Sequence, residues 1–240
     1  MQGPSTGVRA TYKDALSITA FRLFKSLEPS VFTNITEVTM HIHDGLDGSG
    51  DHSIYNQIGA ADTNTIVMYR FRIQSLTHSD NVLWQNPRPG SSSSCRPLLL
   101  LMGKESYENL SNVPEIQKER LNLTFPITLG DKVIQVNVHS TLSMIDGKLR
   151  SLLTGLHGAF CVLCTASREI ANDTEKIRMG FEIDRSFEQI IHICNQQLHI
   201  PSARKKGDYE IRQGVTQVPL TIENLLLLTP PHTYLRVLDW

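Results

Sequence analysis

The sequence predicts an α/β fold built on a mixed β-sheet, because alternating, strand-like segments are interrupted and then followed by segments of helical periodicity. The chain has 240 residues, of which 40% are hydrophobic and 20% are charged, so it is long enough to bury a sizeable core. Its formal net charge is -1, which removes any global electrostatic argument for binding nucleic acid. A nucleic-acid partner would therefore need a local basic patch.

The first half of the chain predicts one helix and three strands. Leucine, alanine and phenylalanine recur at helical spacing between Asp14 and Leu27, and a proline follows as a stop. The apolar run from Val38 to Ile42 predicts a strand, and the Gly- and Asp-rich cluster that follows it is expected to be the exit turn of that strand. Two further strands are expected over Ile66 to Leu76 and Pro97 to Met102.

The second half begins with a helix and a hairpin. Val113 to Leu121 has helical spacing, and the next two strands, Leu121 to Thr128 and Val133 to Leu142, are joined by a Gly-containing turn. A helix with leucines on one face follows Asp146, and later segments such as Phe187 to Leu198 are mostly helical. Three strands, a helix, another strand and another helix form the order of an RNase H-like α/β core.

Two aspartates are candidates for phosphodiester chemistry. Asp47 and Asp146 each lie in a Gly-bearing segment after an apolar strand, so both can reach one edge of a sheet. Two-metal cleavage of a phosphodiester needs carboxylates that share two divalent cations there, together with a third carboxylate. The alternative is that both are ordinary turn residues, because Asp before Gly is common in turns. Asp44 and Asp51 are possible substitutes for Asp47.

Two cysteines have the spacing of half a zinc site. Cys161 and Cys164 form a C-x-x-C pair, and no second pair exists in the chain. On spacing alone, Cys194 and His199 are the best completing ligands, with His192 in reserve. The alternative is a buried pair of core cysteines.

Basic residues are clustered in two places. Lys148 and Arg150 lie close to Asp146 in the sequence. The only run of three consecutive basic residues consists of Arg204, Lys205 and Lys206. These side chains can contact phosphates, although such residues more often form a solvated face. The chain has no signal-peptide-like N-terminus and no apolar run long enough to span a membrane, so a soluble intracellular protein is expected. Four N-x-S/T sequons, among them those at Asn34 and Asn122, leave a secreted glycoprotein as an alternative.

Three blocks of sequence together resemble a known family. They are DGSGDHSIYNQ from Asp47, MIDGKL from Met144 followed by CVLC from Cys161, and GDYEIR from Gly207 followed by VPLT from Val218. In order and rough spacing they resemble the catalytic subunit of the V(D)J recombinase, and more closely its invertebrate relatives, the RAG-like and Transib transposases. The resemblance runs from Thr36 to the end of the chain.

This resemblance implies a DDE-type recombinase with an RNase H-like core. By resemblance, Asp47 and Asp146 bind two Mg²⁺ (or Mn²⁺) ions, and Cys161 and Cys164 supply half of a structural Zn²⁺ site. The implied reaction is nicking of double-stranded DNA at a terminal inverted repeat or recombination signal, followed by hairpin formation. The implied partners are that DNA, a second recombination-activating subunit and a second copy of the chain, in the nucleus.

The resemblance also suggests a domain organisation. Residues 1–36 are expected to form a helical segment before the core, residues 37–160 a partial RNase H-like core, and residues 161–240 a mostly helical, incomplete zinc-binding region. The family's third catalytic acid and its H-x-x-x-x-H zinc pair have no counterpart before Trp240. The chain is therefore expected to be part of a transposase, and the alternative is a non-catalytic remnant that docks on DNA or on another protein.

Overall fold

The computed structural model describes residues 7–49, 66–103, 105–145, 147–156, 173–179, 186–197 and 214–220. The chain divides into two compact units. The first consists of Met1–Glu105 and Glu115–Met144, and the second of Ser106–Pro114 and Ile145–Trp240.

A seven-stranded sheet dominates the first unit. Its strands are β1 Gly7–Arg9, β2 Glu37–Ser49, β3 Ile66–His78, β4 Asn81–Gln85, β5 Arg96–Met102, β6 Thr124–Leu129 and β7 Lys132–Ile145. Helix α1 spans Tyr12–Ser26 and helix α2 spans Val113–Arg120. Short 3₁₀ turns lie at Pro29–Phe32 and Ser92–Ser94.

The order of the strands is that of a mixed sheet. The path is β1-β5-β3-β2-β7-β6, with β4 beside β3. β3 pairs antiparallel with β2 on one side and with β5 on the other. β2 and β7 run parallel, since the Gln135 N–H donates to the Thr36 carbonyl at 2.8 Å and, further along both strands, the rings of His41 and His139 lie 5.4 Å apart. Three antiparallel strands extended by a parallel fourth are consistent with an RNase H-like domain.

Helix α1 forms because its apolar residues share one face. The hydroxyl of Thr11 caps its start by accepting a hydrogen bond from the Asp14 N–H at 3.3 Å. Every fourth residue is then buried, as expected for a helix lying on a sheet; these residues are Tyr12, Leu16, Ala20 and Phe24. The helix lies against β5 and β6. The predicted helix over Asp14 to Leu27 is therefore confirmed.

The two faces of the sheet differ in chemistry. One face is buried and apolar, with Met40 and Ile42 of β2 beside Tyr69 and Phe71 of β3. The alternate residues of β2, β3 and β7 lie on the other face, which is more open. We call this second side the polar face, and its main members are His41, His43, Asp47, Arg70, Arg72 and His139.

The sequence prediction was wrong about where β2 ends. The Gly/Asp cluster was expected to be a turn after Ile42, but β2 continues through Gly45 and Gly48 to Ser49. The reason is that β3 continues alongside as a long partner, so that Ser49 is still paired with Ile66. The short strands β1 and β4 were not predicted.

The second unit contains helices α3 Gly147–Thr154, α4 Thr174–Met179 and α5 Phe187–Gln197. Leu156 forms an antiparallel bridge with Val215. These two residues, with Ile190 and Cys194 of α5, form a small apolar cluster. In the described part of the chain, no helix has the length and apolar character needed to cross a membrane.

Candidate metal-binding and nuclease site

Strand β2 carries two aspartates that lie on opposite faces of the sheet. Asp44 and Asp47 are three residues apart, and side chains alternate along a strand. Asp44 is therefore on the buried face and Asp47 on the polar face. Their environments differ accordingly, and this difference decides which of them can bind a metal.

Asp47 is the accessible carboxylate. Its side chain is 52% exposed, and one oxygen lies 3.6 Å from Nη2 of Arg70 on β3. An exposed carboxylate with a single, loose cationic partner keeps free oxygen lone pairs, which are the ligands that Mg²⁺ and Mn²⁺ prefer. Asp47 lies in a regular strand, so the turn interpretation of this residue is wrong.

Asp44 is completely buried and its oxygens are engaged. Oδ1 accepts a hydrogen bond from the hydroxyl of Tyr12 at 2.8 Å, and Oδ2 accepts one from the hydroxyl of Tyr69 at 3.3 Å. Nη1 of Arg120 lies 3.3 Å from Oδ2 and also donates to Ser140 at 2.6 Å. Burial and then the charge of Asp44 raise the pKa of Tyr12 well above its usual range, so this phenol remains a donor.

This environment excludes Asp44 as a substitute for Asp47. Its charge is balanced by Arg120, and its exposure is 0%, so a cation cannot reach it without disrupting the core. Asp44 instead connects α1, β3 and α2 to β2. The other possible substitute, Asp51, lies outside the described residues.

A further carboxylate, Glu105, lies at the same end of β2 and was missed by the sequence analysis. It follows β5, and its side chain packs directly on Gly48, so that a β-carbon at position 48 would overlap the carboxylate. Position 48 faces away from Asp47 by strand alternation, so Glu105 approaches the strand from the helix side. The available sequence signal was a carboxylate shortly after the apolar strand Pro97 to Met102.

Several of the site residues predicted from the sequence lie outside the part of the chain that the structure describes. Asp146, Cys161 and Cys164 lie outside the described residues, as do Arg204, Lys205, Lys206 and His199. The chain neighbours of Asp146 are described: β7 ends at Ile145 and α3 begins at Gly147, as expected for a strand-to-helix junction. Within the described ranges, no group of three or more His, Cys, Asp or Glu residues is arranged to hold a metal ion.

The remaining candidates lie in the second unit. Lys148 is exposed and Arg150 is half-buried on α3. Cys194 is buried in the apolar cluster of α5, where only 6% of it is exposed, whereas His192 is exposed and lies 2.8 Å from the amide nitrogen of Gln196. The burial of Cys194 favours a core position over the zinc-ligand role suggested by spacing.

Two histidines lie on the polar face along β2. Burial lowers the pKa of His41, and the neighbouring imidazole of His139 lowers it further. Burial also lowers the pKa of His43, and the positive charge of Arg72 adds to this effect. Both shifts favour the neutral imidazole, and both histidines lie on the same face as Asp47.

Comparison with known protein families decides what this architecture is. A family model described as the Recombination-activation protein 1 (RAG1) RNase H domain matches residues 39–160. The chain belongs to this family. The RAG1 match includes the strands β2 to β7 and covers both Asp47 and Asp146, and it ends before Cys161. A comparison with curated proteins gives no match.

The RAG1 family match, together with the strand order, makes this chain the RNase H-like core of a RAG-like recombinase or transposase. The predicted α/β class with a mixed sheet is confirmed. The family is one of DNA recombination, and its RNase H-like fold is that of a nuclease. The domain boundaries predicted from the sequence remain predictions.

Proposed function

We propose that this chain is the core part of a RAG-like recombinase that performs divalent-metal-dependent nicking of double-stranded DNA at terminal inverted repeats or recombination signals, followed by hairpin formation, and that full activity also needs the family's third acidic residue. The observation that carries the proposal is the placement of Asp47. Its exposed carboxylate lies on β2, the central strand of an RNase H-like sheet, and β7 runs parallel to β2 toward the position of Asp146. Members of this family with that fold usually use divalent metals.

In the proposed site, Asp47 and Asp146 hold the metal ions. Bound there, Mg²⁺ or Mn²⁺ supplies Lewis-acid activation of the attacking water or 3′-hydroxyl and stabilises the leaving oxygen. The chain's own contribution is to fix the carboxylates rigidly. Asp47 is held in a strand that lies between β3 and β7. On the buried face, Asp44 connects that strand to α2 through its ion pair with Arg120 and to α1 through the hydroxyl of Tyr12.

Arg70 has a second task in this proposal. Its guanidinium supplies the positive charge that lies 3.6 Å from the Asp47 carboxylate. A divalent cation would take over that role, because it brings a larger positive charge to the same carboxylate. Arg70 would then be released to face a phosphate of the substrate strand.

The proposed activity is tested by nicking of supercoiled plasmid in Mg²⁺ or Mn²⁺. Linked to a downstream segment that carries the family's third acid, the wild-type chain is expected to convert supercoiled to open-circular DNA only with metal, and Asp47→Asn or Asp146→Asn is expected to abolish the conversion. Asp131→Asn is the matched control, since Asp131 lies at the opposite end of β7 and is exposed.

The possible outcomes separate enzyme from remnant. Loss of nicking in both site variants but not in Asp131→Asn supports the proposal. Nicking that persists in Asp47→Asn contradicts it. A chain that binds DNA but never nicks it, even when linked to a downstream segment carrying the family's third acid, favours the non-catalytic DNA-docking alternative.

We also propose a structural zinc ion bound through Cys161 and Cys164, whose C-x-x-C spacing supports it. Two more ligands must complete such a site. Metal analysis of the purified chain is expected to give zinc that is lost in Cys161→Ser and Cys164→Ser variants. Zinc content equal to wild type in both variants would contradict the proposal.

The remaining proposals concern assembly and location. The family match supports DNA and a second recombination-activating subunit as partners. Terminal inverted repeats as the target, a homodimer on paired DNA ends and a nuclear location are proposed from the resemblance of the three sequence blocks alone. Basic residues proposed for DNA contact are Lys148, Arg150, Arg204, Lys205 and Lys206. Co-purification with the second subunit, in the presence and absence of DNA, tests the assembly.

A further inference from the structure

The polar face carries more hydrogen-bond donors than acceptors. The side-chain carbonyl of Gln74, oriented to satisfy its neighbours, accepts from Nδ1 of His43 at 3.0 Å. The same oxygen accepts from Nε and Nη2 of Arg72, at 3.0 and 2.9 Å. A single amide oxygen thus serves three donors. Nε of Arg70 is buried and has no hydrogen-bond partner among the described residues.

Positive charge on this face has little compensation. Within the described parts of β2, β3 and β7, carboxylates on the polar face occur only near the ends of β2, at Glu37 and Asp47. Between them lie Arg70, Arg72 and three histidines. The pKa values of His41 and His43 are lowered first by burial and then by a positive or titratable neighbour, His139 and Arg72 respectively, which agrees with this arrangement.

We infer that the polar face binds the sugar–phosphate backbone of duplex DNA, with Arg70 and Arg72 as the phosphate contacts. A surface with excess donors and excess positive charge fits an oxyanion, and phosphate oxygens supply the missing acceptors. The alignment of the groups along one strand favours a repeating polyanion over a single ion. The inference rests on the proposed function for the identity of the polyanion as DNA.

The geometry gives a length for this contact. Arg70 is beside Asp47, while His43 and its cross-strand partner Arg72 lie four residues back along β2. At about 3.3 Å per residue, the contact measured from Asp47 extends about 13 Å to the level of Arg72 and about 20 Å to His41. DNA advances about 3.4 Å per base pair, so the polar face spans about four to six base pairs on one side of the nicking position.

The test is binding of a short labelled duplex to the full chain in EDTA, measured by fluorescence anisotropy at several salt concentrations. In EDTA no cleavage occurs, so the result does not depend on the nuclease proposal. Each phosphate contact contributes about 1 to the slope of log affinity against log salt. Arg72→Gln is expected to lower that slope by about 1, and Arg70→Gln with Arg72→Gln by about 2. Arg22→Gln, an exposed change on α1, is expected to leave it unchanged.

Several results would overturn the inference. They are wild-type affinity and slope in the double variant, no duplex binding by the wild-type chain, and equal competition by polyglutamate and unlabelled duplex, which would indicate a general site for acidic chains. If the variants fail to fold, photocrosslinking of the wild-type protein to a duplex with modified phosphates shows which strands or helices contact the DNA backbone. Crosslinks within β2 or β3 are expected, and crosslinks confined to α1 or α2 would contradict the assignment. Nicking that survives Asp47→Asn would refute the nuclease proposal without affecting these measurements.

Discussion

The buried pair of Asp44 and Arg120 gives the sharpest prediction about stability. Both side chains are essentially inaccessible, at 0% and 1% exposure, and Asp44 also accepts hydrogen bonds from Tyr12 and Tyr69. Asp44→Asn keeps the volume but removes the negative charge, so the guanidinium of Arg120 loses its counter-charge inside the core. Removing one member of a buried pair costs about 3–5 kcal/mol. We expect the free energy of unfolding to fall by that amount.

The assay is urea unfolding followed by tryptophan fluorescence, for which Trp84 on β4 reports on the same sheet. Asp47→Asn is the matched control, because it is the same substitution three residues away on an exposed side chain, where an ion pair is worth about 0–1 kcal/mol. The double variant Asp44→Asn with Arg120→Met should regain part of the loss, since no buried charge remains. Equal stability losses in Asp44→Asn and Asp47→Asn would refute the reasoning.

Three further predictions follow from other contacts. Glu119→Ala should lower stability by about 1–2 kcal/mol in urea unfolding, because its carboxylate accepts from the first N–H of α1 at 2.9 Å; an unchanged midpoint would contradict this. Gly48→Ala should lower stability by about 1–3 kcal/mol in urea unfolding, because its β-carbon would overlap the Glu105 carboxylate and displace it; an unchanged midpoint would contradict this. The pKa values of His41 and His43 are lowered in the folded state, so the unfolded chain takes up protons more readily and stability should fall as the pH drops through 6.5. Unfolding at a series of pH values checks this, and replacing both histidines by Asn should flatten the profile.

Periodicity was sufficient to predict most of the sheet and α1. The alternation in Ile66 to Leu76 and Val133 to Leu142 reflects strands with one buried face, which is the feature that alternation detects. The same signal failed at β1, because a strand of three residues is too short to show a period. The signal also missed β4, because none of its five residues is buried and the strand therefore shows no alternation of buried and exposed side chains.

The site shows where sequence reasoning ends. Glycine-rich segments normally indicate turns, but the Gly/Asp cluster remains extended because a long antiparallel partner pairs with it to Ser49. Only that extension places Asp44 and Asp47 on opposite faces and so distinguishes a buried core charge from an accessible carboxylate. Glu105 could not be assigned either, because its approach to Gly48 depends on a neighbouring strand far away in sequence.

The polar face is likewise a product of tertiary structure. Its charged and titratable side chains come from the separate strands β2, β3 and β7, and the net charge of -1 conceals them. The sequence analysis instead identified Arg204, Lys205 and Lys206, where basic residues are consecutive. A local patch assembled across strands leaves no such run.

The central claim is that Asp47 binds the divalent metal used in DNA cleavage, and Mn²⁺ titration followed by electron paramagnetic resonance tests it most directly. We predict that the wild-type chain and Asp131→Asn bind Mn²⁺ with the same affinity, and that Asp47→Asn and Asp146→Asn each weaken binding at least about tenfold. Wild-type affinity in Asp47→Asn, in a protein shown to be folded, would contradict the account.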